Sequence, residues 1–289
     1  MPTRRSTLMA LAATAMAAAT FTTVPFTAPA LAEDKEATIA YVEWSDAVVA
    51  TNILAAALEE HGWKVKIVPL SAAAMWQAVA TGEADAMVAG WLPATHAAYY
   101  AKLKDDVVDL GPNVTGAKIG WAVPTYVDVT SIEELNDHAD MFGGKVIGID
   151  PGAGLMKASE QAIKDYGLKF DLVEGSDATM MGALKDAYSK KEPIIITTWT
   201  PHWMFAEFDL KYLADPKGTF GGEETVNTIV AKDLKEKKPE LYAVLDKFAL
   251  TLDQEQAVMV ANEQPGAKPA ATAKTWVAEN KEIVDSWFK

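Results

Sequence analysis

The chain has no cysteine among its 289 residues. That absence excludes disulfides, thiolate nucleophiles, thiolate metal sites and a lipidated-cysteine anchor together. Histidine is scarce, at four residues, and His96 and His202 stand in no HExxH or other metal-ligand spacing. The sequence holds no G-x-S-x-G nucleophile elbow, no Gly-Lys-Ser/Thr phosphate loop and no correctly spaced dinucleotide fingerprint. Basic residues form no stripe: 26 Lys and Arg face 40 Asp and Glu, and the formal net charge is −14. Such a surface favours solubility and argues against a nucleic-acid partner, which needs basic residues aligned with phosphates. Beyond the N-terminus, no apolar run approaches the roughly 18 residues that span a bilayer.

Half of the residues are hydrophobic, enough for a sizeable core, and the length suits two domains of ordinary size. The first 32 residues read as an export signal. Arg4 and Arg5 supply the charged start, an Ala-rich apolar stretch follows, and Ala30-Leu31-Ala32 matches a small-x-small cleavage site. Pro25 and Pro29 interrupt the apolar run, which favours cleavage over a retained anchor. The paired arginines leave the twin-arginine and general export routes both open. Removing residues 1–32, whose only charges are those two arginines, takes the net charge from −14 to −16. The expected location is outside the cytoplasm.

The rest of the chain repeats a pattern. Residues 37–42 read as a strand, 46–61 as a helix stopped by Gly62, 64–68 as a strand, 71–81 as a helix capped by Ser71, and 84–89 as a strand. The same order recurs about 105 residues later: strand 145–149, helix 155–166, strand 169–173, helix 177–190 capped by Ser176 or Asp177, and strand 194–197. Both copies run into Trp-x-Pro, at Trp91-Leu92-Pro93 and Trp199-Thr200-Pro201. Strands alternating with helices predict an α/β fold with parallel sheets in two similar lobes. Residues 116–127 and 225–231 read as strands linking them. The lobes are expected over 33–124 and 125–224, with 225–289, mainly helical and broken by Pro239, Pro265 and Pro269, returning to the first.

In open α/β sheets, ligands bind beyond the carboxyl ends of the strands. Trp44, Trp91, the turn from Gly152 to Leu155, and Trp199 all fall there. Of the nine tryptophans, Trp63, Trp76, Trp276 and Trp287 are read as core packing. Three in equivalent places at strand ends are harder to assign to packing. Several indole faces suit a quaternary ammonium, which donates no hydrogen bond and presents methyl groups with a diffuse positive charge; each face is worth roughly 0.5–2 kcal/mol. The Asp150-Pro-Gly-Ala-Gly154 turn, opening a helix, suits a carboxylate held by backbone N–H groups; a plain strand-to-helix turn would also explain its glycines. His96 offers a hydrogen bond to the same anion, or is structural. Glu43, Asp46 and Asp150 form either a cation-attracting fringe or solvated caps. No cofactor is called for.

At these residues the chain resembles a known family. YVEWSDAVVATNI, GWLPATH, GIDPGAGLMKASE and TTWTPHWMFAEFDLKYLADPKG are similar to segments of the glycine betaine-binding proteins of ABC importers, from about residue 37 to the end. The resemblance implies a two-lobed, type II-like periplasmic binding protein that closes on ligand in its inter-lobe cleft. It implies a cage of Trp44, Trp91 and Trp199 around the trimethylammonium, with His96 and the N–H groups of Gly154 and Leu155 on the carboxylate. His202 and Trp203 would support Trp199. The implied role is delivery of a betaine to an inner-membrane ABC permease by a monomer, not catalysis. Thr198 and Gly90 depart from common residues of the family, which leaves the pocket shape open. Proline betaine, carnitine, choline, ectoine and dimethylsulfoniopropionate remain alternative ligands, although choline would leave the anion-holding turn unused. An enzyme or a sensor-linked receptor on the same scaffold also stays open.

Overall fold

The fold is that of a computed structural model describing residues 35–289; the export signal read at residues 1–32 lies outside them. The first repeat forms β1 (Glu36–Tyr41), α1 (Ser45–Glu60), β2 (Lys64–Pro69), α2 (Ala72–Ala80) and β3 (Ala86–Leu92), followed by α3 (Ala97–Leu103). A long β4 (Val107–Pro124) and a 3-10 helix (Ile132–Phe142) lead to the second repeat. That repeat is β5 (Lys145–Ile147), α4 (Gly154–Asp165), β6 (Asp171–Val173), α5 (Asp177–Lys190) and β7 (Ile196–Thr200). Then come α6 (Met204–Glu207), β8 (Leu210–Tyr212), β9 (Glu224–Ala231), α7 (Leu234–Lys237), α8 (Pro239–Lys247), α9 (Leu252–Asn262), α10 (Pro269–Glu279) and α11 (Lys281–Trp287).

The strands run in the order β2-β1-β3-β9-β4-β7-β5-β6, with β8 pairing on β4. Within each repeat the pairings are parallel, as expected: β1 with β2 and β3, and β5 with β6 and β7. The later strands break that rule, because β9 is antiparallel to both β3 and β4, and β4 is antiparallel to β7. β4 pairs with β9 from Val107 to Ala117 and with β7 from Lys118 to Ala122, so one strand passes from one half of the sheet to the other. It begins nine residues before the strand read at 116–127, because β9, far along the chain, supplies its ladder partner.

β3 is buried at every position, between β1 and β9, and a strand covered on both faces reads as a continuous apolar run. It continues through Trp91 to Leu92, where the sequence predicts an end at Ala89; Trp91 pairs with Val226 of β9. β7 likewise carries Trp199 inside the strand, paired with Ile119 of β4. Both Trp-x-Pro motifs carry a cis X–Pro bond.

α1 buries twelve of its residues, since the sheet covers one side and α9 and α10 pack on the other. The C-terminal segment thus packs against the first repeat. Pro239 and Pro269 occupy first-turn positions, where the missing N–H is harmless, so they start helices rather than break them. Ser71 sits at the N-cap of α2 but makes no capping bond, whereas Ser176 caps α5 in a capping box with Thr179.

Candidate functional site

Four segments converge where the strands of the two repeats end. Trp44 follows β1 at the N-cap of α1, Trp91 lies next to the end of β3, Trp199 lies in β7, and Gly154 opens α4 after β5. They surround a small cavity lined by Trp44, Asp46, Trp91, Thr95, His96, Ile119, Ile149, Ala153, Gly154, Leu155 and Trp199. All six residues singled out from the sequence line it.

Each indole is held by its edge. The Trp91 and Trp199 Nε1–H groups donate to the two oxygens of Asp46, at 3.2 and 3.0 Å, and the Trp44 Nε1–H donates to Asp150 at 2.8 Å. An N–H anchored at the rim fixes a ring's orientation without using its π-face. Asp46 is 2% exposed, so it is no solvated cap. Burial pushes its carboxyl up to about 6, against the hydrogen bond from Trp91. From the sequence Asp46 reads as part of a cation-attracting fringe or as a solvated cap; nearby Trp44 is the signal that its helix start faces the site.

His96 is fully buried. Its Nδ1 accepts the Trp91 backbone N–H at 3.1 Å and the Trp76 Nε1–H at 3.3 Å, which leaves the ring proton on Nε2. Nε2 is buried without a partner. Burial, and after it the charge of Lys157, push the imidazole down to about 3, so the ring is neutral at pH 7. The result is a prepaid N–H donor in a cavity wall. Trp76, read as core, is core and also a support for this ring.

Gly154 and Leu155 begin α4, so their N–H groups precede the intrahelical ladder and have no acceptor within the helix. A Cβ on Gly154 would lie 2.0 Å from the Thr95 carbonyl oxygen, which shows how closely the turn meets the 94–95 loop. Glu224, 2% exposed at the start of β9, holds that loop: it accepts the N–H groups of Ala94 and Thr95 at 2.9 and 2.8 Å and the Thr95 hydroxyl. Tyr99 adds a bond to the Gly152 carbonyl at 2.7 Å. Nothing along the chain marks Glu224, whose partners lie about 130 residues away.

His202 and Trp203 do not line the cavity. His202 stands edge-on to Trp199, with ring centroids 4.5 Å apart. Thr198 and Gly90 are also off the cavity wall. The Thr198 hydroxyl faces Met204, and a Cβ on Gly90 would meet Ile229 at 2.7 Å, so these two departures serve packing. Among the described residues, no cluster of His, Asp and Glu is arranged to hold a metal ion, and no helix is long and apolar enough to cross a membrane.

Residues 35–279 match a family described as the substrate binding domain of ABC-type glycine betaine transport systems. The chain is 46% identical to lactococcal OpuAC, crystallised closed in complex with glycine betaine; the alignment covers 89% of this chain and all of that one, with a TM-score of 0.84. A glycine betaine/L-proline-binding protein (ProX) of Borrelia burgdorferi is 37% identical, over 88% of this chain and 97% of its own, with a TM-score of 0.85. GbuC of Listeria monocytogenes, a glycine betaine/carnitine transport binding protein, is 44% identical over 154 residues, and the match spans about half of each protein: 52% of this chain and 51% of that one. The fold is thus that of the two-lobed periplasmic substrate-binding proteins, which close on ligand in a cleft, and the family is one of binding components rather than enzymes. The match takes in every segment around the cavity, and the chain belongs to the family of substrate-binding domains of ABC-type glycine betaine transport systems.

Proposed function

We propose that the protein captures glycine betaine in the periplasm and delivers it, as a monomer, to an ABC permease of the inner membrane. The trimethylammonium group sits against the faces of Trp44, Trp91 and Trp199, with the Asp46 charge behind two of the indoles. The carboxylate accepts from the Gly154 and Leu155 N–H groups and from His96 Nε2. The reading rests above all on one observation: three rim-anchored indoles and an unpartnered, buried imidazole N–H face the same cavity. A zwitterion with a methylated cation at one end and an anion at the other matches both. At roughly 0.5–2 kcal/mol per face the cage supplies several kcal/mol, and the anion's hydrogen bonds add to it. After association costs, a dissociation constant of about 1 μM corresponds to about −8 kcal/mol.

The lobes are proposed as residues 33–124 with 225–289, and 125–224, moving about the strands that join them. Export through a cleaved signal at residues 1–32 would place the protein where the permease is reached from outside.

Calorimetric titration of ligand-free protein tests the proposal. Glycine betaine should bind in the micromolar range, choline far more weakly for want of a carboxylate, and Trp91→Ala should abolish measurable binding. Failure of glycine betaine to bind, beside tight binding of proline betaine or carnitine, would overturn the ligand.

A further inference from the structure

A second carboxylate, outside the cavity, ties the two halves of the cage together. Asp177 opens α5 in the second repeat and does not line the cavity. Its Oδ2 accepts both the backbone N–H of Ser45, at 2.9 Å, and the Ser45 hydroxyl, at 2.6 Å. Ser45 is the first residue of α1, between the cavity residues Trp44 and Asp46. Its N–H is one of the donors that a helix start leaves unpaired, and here a residue 132 positions away satisfies it. The other oxygen, Oδ1, meets His202 Nε2 at 3.1 Å. His202 Nδ1 accepts the Met204 N–H at 3.0 Å, so the proton lies on Nε2 and points at Asp177. His202 in turn stands edge-on to Trp199. Burial alone would raise the Asp177 carboxyl, but the bonds from His202 and Ser45 outweigh it and hold it below its usual range.

Resting on the ligand proposal above, we infer that Asp177 is a positioning residue that couples closure of the cleft to completion of the cage. The carboxylate orients His202 behind Trp199 within the second repeat, and across the cleft it holds the first turn of α1, which carries Trp44 and Asp46. The bonds to Ser45 require the repeats to be together; the bond to His202 does not. Opening the cleft breaks the first set only. Ligand leaves by opening, so the Ser45–Asp177 bonds slow dissociation, while association to the open form never meets them.

Stopped-flow tryptophan fluorescence with glycine betaine reads this directly, comparing wild type with Ser45→Ala, Ser45→Thr and Asp177→Asn. Asp177→Asn should raise koff by about 10- to 100-fold, the effect of losing a charge-assisted hydrogen bond, and leave kon within about twofold. Ser45→Ala should raise koff less, since the backbone N–H remains, and Ser45→Thr should restore it. A role in folding alone would lower the melting temperature without the split between koff and kon. Unchanged koff in both Ser45→Ala and Asp177→Asn overturns the inference.

A second readout needs no ligand. The chain lacks cysteine, so Lys66→Cys in β2 and Asp171→Cys in β6 give unique spin-label sites on opposite halves of the sheet. The short-distance fraction, from molecules that close without ligand, should shrink in Asp177→Asn; a fraction identical to wild type would again overturn it. A wild-type protein that binds no betaine refutes the ligand proposal, while these distances still decide the role of Asp177.

Discussion

Lowering the pH from 7 to 5 should weaken glycine betaine binding about tenfold, through Asp46. Its carboxyl, pushed up to about 6 by burial, is mostly ionised at pH 7 and about one-tenth ionised at pH 5 in the ligand-free protein. A quaternary ammonium in the cage favours the ionised form: two unit charges about 4–5 Å apart at an effective dielectric near 20 attract by roughly 3–4 kcal/mol. Binding therefore pulls the carboxyl back down and expels its proton, and affinity falls as the proton must be displaced. The surrounding groups do not mimic this. His96, held down at about 3, stays neutral throughout, and Asp177, held below its usual range, stays ionised; burial, and after it the Asp46 charge, push Glu255 well above its ordinary range. The ligand keeps both its charges. Calorimetry at pH 6 in two buffers of different ionisation enthalpy should report release of about half a proton per ligand bound. Asp46→Asn should bind more weakly at pH 7 and lose both the pH step and the proton release. A dissociation constant flat from pH 5 to 7, or the same slope in the variant, would refute the argument. The stability of the ligand-free protein has the opposite sign. The folded carboxyl lies above its ordinary 3.8, so the native state holds more protons between 3.8 and about 6, and Asp46 lowers stability by about 3 kcal/mol as pH rises through that window.

Two further substitutions separate binding from folding. Gly154→Ala should leave the melting temperature near wild type, since the residue is helical, yet weaken betaine binding by about 1–3 kcal/mol, or roughly 5- to 150-fold, because its Cβ meets the Thr95 carbonyl at 2.0 Å when the cleft is closed. Glu255 is 1% exposed and its Oε2 has no partner. Its raised carboxyl makes stability fall as pH rises through that raised value. Glu255→Gln should therefore melt higher than wild type by a margin that widens as pH rises above the ordinary carboxyl value of 4.5, at about 2–4 °C per kcal/mol; a margin independent of pH would show that the carboxyl is not what destabilises.

Much of this protein was legible along the chain because local patterns carried it. Alternating strands and amphipathic helices stopped by Gly62 and Gly167 set out both repeats, and the Trp-x-Pro motifs marked where each one meets the cleft. All six residues chosen for the site line one cavity, because the ends of parallel strands gather there whatever the later topology. What the chain order hid depends on partners far away in sequence. The antiparallel β9 inserts between β3 and β4, and so carries Trp91 into a strand that seemed to end before it. Asp46 reads like any helix-start acid until two indoles, 45 and 153 residues away, close over it and exclude water. Glu224 and Asp177 gain their roles in the same way, from backbone donors brought within hydrogen-bond distance by the fold. Residue type and spacing determined which groups line the cavity; only tertiary structure decided which carboxylates hold those groups in place, because burial and long-range hydrogen bonding are properties of the packed chain.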